Sequence, residues 1–279
     1  MKKTVLITGC SSGIGYCTAH GLRARGYRVF ATARRQESVE MLLAEGLESF
    51  QLDLNDSSSI RRAVEETLNR SNGQLYALFN NGGYGLPGAA EDLSREALRA
   101  QFETNFFGWL ELTNLVLPVM RAQGYGRIVQ NSSILGFAAM PFRGAYNASK
   151  FAIEGWSDTL RLELRGSGIF VSLIEPGPIS TKFRANAMKA FERDIDIENS
   201  IHREKYTVVR DRLNKLGPTV PFTLPPGAVL EKVVQALESN PPKARYYVTF
   251  PTHMFGFLKR ILPVSILDRL LAQAGHKHQ

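Results

Sequence analysis

Thr4-Val5-Leu6-Ile7-Thr8-Gly9-Cys10-Ser11-Ser12-Gly13-Ile14-Gly15 decides the fold. Its first four residues are apolar without alternation, the pattern of a strand buried on both faces. A glycine-rich turn follows at once. Ile14 to Arg25 then has helical spacing, with Gly26 as its stop. In a strand–turn–helix unit, Gly9 allows the tight exit from the strand, Gly13 lets the backbone approach a diphosphate, and Gly15 lets the helix pack on the sheet. Thr8, Ser11, Ser12 and Ile14 complete a turn whose N–H groups, with the positive end of the helix, would face phosphates. A tight turn without a ligand carries the same glycines, so this signal needs support from elsewhere in the chain.

Outward from this unit the chain alternates. Strands are predicted at Tyr27–Thr32, Ser49–Leu52, Leu75–Phe79, Gly126–Asn131 and Ile169–Ile174. Helices are predicted at Val39–Glu45, from a cap at Asn55 or Asp56 to Asn69, at Arg95–Ala122 and at Ala145–Arg165. Strands separated by helices imply right-handed crossovers and an α/β, doubly wound parallel sheet in a single domain. After Pro176-Gly177-Pro178, residues 180–225 turn polar with helical spacing, as a C-terminal helical lid would. A helix at Pro226–Ser239, a strand at Arg245–Thr249 and an amphipathic segment from about Met254 to Ala272, interrupted by Pro263, complete the chain.

The 279 residues, 44% hydrophobic and 22% charged, exclude a disordered chain, and 24 Gly with 13 Pro at no fixed period exclude collagen. Cys10 and Cys17 cannot staple a chain of this length, so the core must be hydrophobic. The net charge of +8 permits nucleic acid, acidic lipid or a phosphorylated ligand. Basic pairs such as Arg34-Arg35 and Arg61-Arg62 are dispersed and no nucleic-acid motif is present, so no nucleic-acid partner is expected. Met1-Lys2-Lys3 imitates a signal peptide, but the apolar run before Gly9 is too short for one. The longest apolar candidate, Met254 to Leu271, is broken by Lys259, Arg260, Asp268 and Arg269, so a soluble cytoplasmic protein is expected. His276 and His278 read as a polar tail and not a metal site.

The second strand ends Phe30-Ala31-Thr32-Ala33-Arg34-Arg35. Ala33 stands where a dinucleotide-binding domain usually places an acid for the ribose hydroxyls. Arg34 after it would pair with a 2′-phosphate and favour NADP(H) over NAD. The alternative is that Arg34 and Arg35 form a solvated basic turn. Asp53-Leu54 after the third strand would either meet the adenine edge or serve as an ordinary turn, with Asp53 as a cap.

Tyr146-Asn147-Ala148-Ser149-Lys150 puts Tyr146 and Lys150 four apart on one helix face, with Ser133 at the end of the fifth strand. Together with Thr8 to Gly15, Asn80-Asn81-Gly82-Gly83, Asn105 and Pro176-Gly177, in this order and spacing, the chain closely resembles the short-chain dehydrogenase/reductase family over residues 4–181. The resemblance implies a Rossmann-type fold and hydride transfer between a nicotinamide and a carbonyl or alcohol. Tyr146 would act as general acid or base, its pKa lowered from ~10 by the Lys150 ammonium and the oxidised nicotinamide. Ser133 would hold the substrate oxygen; spacing favours it over Ser132. The resemblance further implies that Lys150 grips the nicotinamide ribose and that Asn105 anchors a water for proton transfer. It also implies that Asn81, Gly82, Gly83, Pro176, Gly177, Ile179 and Thr181 border the cofactor, Thr181 at the nicotinamide amide. The family usually reads Asn-Ala-Gly where this chain has Asn81-Gly82-Gly83. The missing methyl should loosen the loop beside the adenine ribose. Alkylation of Cys10 should block the cofactor, although no catalytic role is expected for that thiol.

For the substrate, Ile134, Leu135, Met140 and Phe142 precede the catalytic helix and suit a bulky apolar carbonyl or alcohol. Phe183, Met188, Phe191 and Tyr206 either join that pocket or form the inner face of the lid. Within the family the chain looks most similar to hydroxysteroid and retinol dehydrogenase-like members and to bacterial aldehyde reductases. The basic-flanked apolar run from Phe255 to Leu262 either packs on its own core or a second subunit, the favoured expectation, or lies weakly on a membrane surface. A homodimer or tetramer through the helices near 95–122 and 145–165 is expected from the resemblance. The alternative function is a catalytically silent NADP-binding regulator on the same fold. Its expected mark, a damaged Ser/Tyr/Lys set, is missing here.

Overall fold

The computed structural model describes residues 2–215 and 217–276. Among them, parallel strands β1 (Thr4–Ile7), β2 (Arg28–Ala33), β3 (Glu48–Gln51), β4 (Ala77–Asn80), β5 (Gly126–Asn131), β6 (Ile169–Glu175) and β7 (Arg245–Tyr247) form one sheet in the order β3-β2-β1-β4-β5-β6-β7. The order reverses between β1 and β4. Crossovers on either side of that point diverge and leave a crevice at the carboxyl ends of the strands.

Successive side chains of β1 show why both faces are covered. Val5 and Ile7 enter a core with Leu22 of helix α1 (Gly13–Ala24), Val39 and Leu42 of α2 (Gln36–Ala44), and Val229 and Val233 of α9 (Gly227–Glu238). Leu6 enters the opposite core with Ile60 of α3 (Ser57–Arg70), Trp109 and Leu112 of α5 (Gly108–Gln123) and Ile153 of α6 (Gly144–Glu163). The cap left open between Asn55 and Asp56 is Asp56, whose carboxylate accepts the Ser58 N–H at 2.8 Å.

Three boundaries differ from the periodicity for physical reasons. The single helix expected over 95–122 is two, α4 (Arg95–Phe102) and α5, joined by a π-turn at Glu103–Phe107 that turns Asn105 into the interior. Leu75 is not in the β4 ladder. Its N–H donates to Gln123 Oε1 at 2.7 Å and its carbonyl accepts from Gln123 Nε2 at 3.0 Å. At the other end, β7 stops at Tyr247, and α10 (Phe250–Ile261) starts with Pro251 in its first turn. Pro263 separates α10 from α11 (Val264–His276), so the C-terminal segment is a helix pair.

The polar stretch after β6 forms α7 (Phe183–Asp194) and α8 (Arg203–Asn214), which close over the crevice around their own core. The inner face of α10 and α11 packs Phe255, Leu267 and Leu271 on Ile134 and Ala138. Its outer face leaves Phe257 and Val264 62% and 71% exposed. No helix of the described residues is long and apolar enough to cross a membrane. His276 ends α11; His278 lies outside the described residues.

One charged cluster is built into the β6–β7 side. Arg245 lies 3.0 Å from Glu154 of α6, 2.7 Å from Asp158 and 3.1 Å from Glu175, the last residue of β6. Glu175 is fully buried and Glu154 nearly so. Burial raises both carboxyls, and Glu154 raises Glu175 further while the hydrogen bond between them lowers Glu154, so the pair keeps on Glu175 a proton that a free glutamate would lose. Removing the arginine leaves that pair without its counter-charge. Arg245→Met should destabilise the fold by about 3 kcal/mol in urea denaturation, where Glu175→Gln should cost less. The folded state holds more protons than the unfolded state above the ordinary carboxylate range. Stability from this pair therefore declines as pH rises out of that range, a slope that Glu175→Gln should remove.

Candidate active site

The crevice is a cavity of about 1930 Å³. Its floor is tied by a short network across three strand ends. Thr8 Oγ1 accepts the N–H groups of Asn81 at 2.9 Å and Gly82 at 2.8 Å. Asn81 Nδ2 donates to the Thr8 carbonyl at 2.9 Å, and Asn131 Nδ2 donates to Asn81 Oδ1 at 2.9 Å. Gly9, at φ +71°, has no room for a side chain: a Cβ there would lie 2.6 Å from Gly82 Cα. At Gly15 a Cβ would lie 2.3 Å from the Gly9 carbonyl oxygen.

Helix α1 opens onto the cavity through Ser11, Ser12, Gly13 and Ile14. Ser12, which flanks its first turn, makes no side-chain cap, and that turn carries no acid. Its N–H groups and positive end are therefore available to an anion. Arg34 and Arg35 line the same end, and neither forms an ion pair with an acid among the described residues. Ala33, the last residue of β2, is buried and offers no carboxylate to ribose hydroxyls. This donor set fits a dinucleotide with a further phosphate on its ribose. Asp53 lines the cavity, and its Oδ1 accepts the Asn55 N–H at 3.0 Å in a side-chain turn. The Asn81-Gly82-Gly83 loop is not loose. The Thr8 hydroxyl holds it, and Leu54 Cδ1 occupies the position 3.0 Å from where a Gly82 Cβ would be.

At the other end, Ser133 follows β5, and Tyr146 and Lys150 project from α6. The Ser133 hydroxyl lines the cavity with Tyr146; its Oγ accepts the Leu135 N–H at 3.1 Å and donates to the Pro176 carbonyl at 3.5 Å. Ser132 is set apart: a Cβ on Gly136 would lie 2.6 Å from its Oγ and 3.0 Å from Glu154 Oε1. Lys150 Nζ donates to the Asn131 carbonyl at 2.7 Å and lies 4.3 Å from the centre of the Trp109 ring. Trp109 Nε1 in turn donates to the Gly82 carbonyl at 2.7 Å, joining this end of the site to the floor network.

Burial sets the electrostatics of Tyr146 and Lys150 in the free protein. Burial draws the Lys150 ammonium down to about 7, and burial also pushes the Tyr146 phenol up to about 12 against a small opposing pull from Ser133. The lysine therefore does not act as a full charge that ionises the phenol in the free protein. Tyr146 is held protonated, the state of a proton donor. Asn105 is turned inward at the π-turn. Its Nδ2 donates to the Tyr84 carbonyl at 2.8 Å and to Ser149 Oγ at 3.3 Å, and its Oδ1 accepts the Tyr84 N–H at 3.1 Å. This side chain clamps the segment after β4 to α6.

The lid residues divide. Phe183 meets Tyr146 edge-on, ring centres 5.5 Å apart, and lines the cavity. Met188, Phe191 and Tyr206 lie in the lid's own core and do not line the cavity. Thr181 packs over Gly13, 3.1 Å from where its Cβ would be, and so rests on the glycine turn. Ile179 bridges to Leu224, the Pro176 carbonyl accepts the Ile134 N–H at 2.8 Å, and a Cβ on Gly177 would meet Thr249 Oγ1 at 2.1 Å. Ile134, Leu135, Met140 and Phe142 line the cavity as expected, joined by Phe255 and Leu258 of α10. Sequence reasoning missed Trp109 and Asn131. Neither carries a spacing signal, since each acts through a contact between distant segments. No cluster of potential metal ligands is found among the described residues.

Cys10 lies inside the glycine turn but does not face the cofactor end as a reactive group. It is fully buried, its thiol donates to the Ile7 carbonyl at 3.4 Å, and burial pushes it up to about 12. Iodoacetamide should therefore leave Cys10 unmodified in the folded protein and label it after denaturation, as read by mass spectrometry of the Cys10 peptide. Rapid native labelling would mean that the turn opens.

Residues 3–191 match the family model of the short chain dehydrogenases. The chain is 44% identical over 271 residues to the uncharacterized oxidoreductase YbbO of Escherichia coli, covering 97% of this chain and 94% of that protein. It is 40% identical over 197 residues to human retinol dehydrogenase 8, covering 67% of this chain and 62% of that protein. Among solved structures, a single-residue variant of the actinorhodin polyketide ketoreductase with NADPH superposes with a TM-score of 0.73 at 30% identity, covering 88% of this chain and 95% of that one. With the parallel sheet, the glycine turn and the Ser133–Tyr146–Lys150 grouping, these matches establish that the chain belongs to the short-chain dehydrogenase/reductase family of oxidoreductases.

Proposed function

We propose that this protein is an NADP(H)-dependent oxidoreductase that interconverts a ketone or aldehyde and the corresponding alcohol on a substrate with a large apolar part, of steroid-, retinoid- or aldehyde-like class. The observation that carries this is Tyr146, Ser133 and Lys150 lining one cavity with an apolar wall of Leu135, Met140, Phe142 and Phe183, the last edge-on to the Tyr146 ring. When bound, the nicotinamide supplies or accepts the hydride at the carbon. Tyr146 delivers its proton to the carbonyl oxygen in reduction and takes it back in oxidation. Ser133 holds that oxygen in line. Lys150, fixed by the Asn131 carbonyl, lies under the nicotinamide end, and Asn105 keeps this end of α6 in register with the loop after β4.

Arg34 and Arg35, without an acid at Ala33, favour the extra phosphate of NADP(H). The NADPH bound in the similar ketoreductase supports that choice, and the name of the human relative supports an apolar, retinoid-sized substrate. The protein would act as a homodimer or tetramer through α5 and α6. On that side Phe107 is 47% exposed beside Phe106, whose ring meets Trp156 of α6 edge-on. Light scattering should give a mass of two or four chains; a monomer at micromolar concentration would remove this interface.

A panel of steroid ketones, retinal and short- and long-chain aldehydes, followed by NADPH and NADH absorbance, tests the chemistry. NADPH should be preferred. Tyr146→Phe should lower kcat/KM by about 10²–10⁴-fold while leaving NADPH affinity unchanged. A Tyr146→Phe variant as fast as the parent would remove the phenol from its role, and faster turnover with NADH would remove Arg34 from its own.

A further inference from the structure

The cavity extends past Tyr146 to a second group of cations. Arg143 stands one turn ahead of Tyr146, at the start of α6, with its carbonyl accepting the Asn147 N–H at 2.8 Å. Arg212 comes from α8 and Arg184 from α7, and all three line the cavity. None of the three pairs with a carboxylate among the described residues, whereas Arg193, Arg203 and Arg245 each do. Arg143 Nη1 finds only the Met140 sulfur, at 2.8 Å, and Arg212 Nε is buried without a partner. Arg184 donates to the carbonyls of Arg212 at 3.2 Å and Lys215 at 2.9 Å, which fixes the end of α8.

This arrangement is costly as it stands. Burial, with a smaller contribution from Arg212, lowers the Arg143 guanidinium to about 9; burial and Arg184 lower Arg212 likewise. Like charges withdrawn from water without a counter-ion destabilise the fold. The backbone is also bent to keep Arg143 there. Phe142, just before it, takes φ +57°, a left-handed conformation that bulky residues avoid. Its ring is held by edge contacts at 5.9 Å to Tyr206 and 5.4 Å to His202 in the lid. The Arg34 and Arg35 end, beyond the glycine turn, is a separate basic site suited to the cofactor.

We infer that Arg143 and Arg212 form an anion subsite in the substrate end of the cavity, and that the substrate is an amphipathic carbonyl compound with a carboxylate or phosphate close to the reacting carbon. Its apolar tail follows Leu135, Met140, Phe255 and Leu258. The anion assignment stands on the arginines alone, and the carbonyl assignment rests on the oxidoreductase function proposed above. A substrate with an ammonium head group is excluded by the same charges.

Binding separates the two assignments. The NADPH-loaded protein is titrated by NADPH fluorescence with dodecyl phosphate, dodecanoate, 1-dodecanol and dodecylamine. At least one of the two anions should bind at least about ten-fold tighter than 1-dodecanol, and dodecylamine should bind weakest. Arg143→Gln and Arg212→Gln should each reduce that preference, and together abolish it. Arg203→Gln, which removes a charge outside the cavity, should keep it, and NADPH affinity shows that each variant is folded. The anion with the greater preference identifies phosphate or carboxylate. Equal affinity for anion and alcohol in the parent, or a preference that survives the double variant, overturns the subsite. NADPH oxidation is then compared for 4-oxohexadecanoate and its methyl ester. A preference for the acid that disappears with Arg143→Gln supports the combined assignment. Anion preference in binding with no carbonyl in either panel turned over leaves the subsite standing and overturns the oxidoreductase function.

Discussion

Gly9 and Gly82, in the loops that follow the neighbouring strands β1 and β4, approach more closely than a side chain on Gly9 would allow, and the site depends on that approach. A Cβ on Gly9 would lie 2.6 Å from Gly82 Cα. Because Gly9 has no side chain, the Thr8 hydroxyl can accept two N–H groups of the loop after β4, and Asn81 can reach both the Thr8 carbonyl and Asn131. Asn131 then presents the carbonyl that holds Lys150, and Trp109, anchored on Gly82, supplies the ring under the same ammonium. The cofactor end and the chemical end of the cavity are thus one hydrogen-bonded unit.

The second organising feature is burial of charge on unequal terms. Lys150 is desolvated but has a carbonyl and an aromatic face. Glu154 and Glu175 are desolvated but share Arg245 and a proton. Arg143 and Arg212 are withdrawn from water with only a sulfur and backbone around them. In the first two places the protein completes its own electrostatics. In the third it does not, which distinguishes a surface waiting for a ligand from one that only stabilises the fold.

Much of this was legible in the residues. Unbroken apolar runs located the strands, and the glycine turn and Tyr146–Lys150 spacing located both ends of the site, because each depends on local geometry alone. The split of the helix over 95–122 was not legible, since the π-turn exists to satisfy Asn105 against a backbone about twenty residues away in sequence. The lid aromatics could not be assigned either. Phe183 and Phe191 share one helix and similar chemistry, and only the packing of α8 sends the second into the lid core and leaves the first on Tyr146. Asp56 and Asn55 are equally good caps by type; Thr104, whose hydroxyl donates to Asn55 Oδ1 at 2.7 Å, draws Asn55 away. Trp109 and Arg143 carry no pattern at all, because their meaning lies in which distant atoms they meet or fail to meet.

The Arg245 cluster also ties the chemistry to the order of synthesis. Every residue of the glycine turn and of the Ser133, Tyr146 and Lys150 grouping precedes the lid in the chain, whereas Arg245 follows it on β7. As the nascent chain emerges, Glu154 on the catalytic helix and Glu175 beside Pro176 must wait, uncompensated, until the lid and α9 have been made. The counter-charge of Glu154 on α6 and Glu175 on β6 therefore arrives only with the last strand. A polypeptide halted before β7 would carry the whole reactive apparatus and still lack that counter-charge.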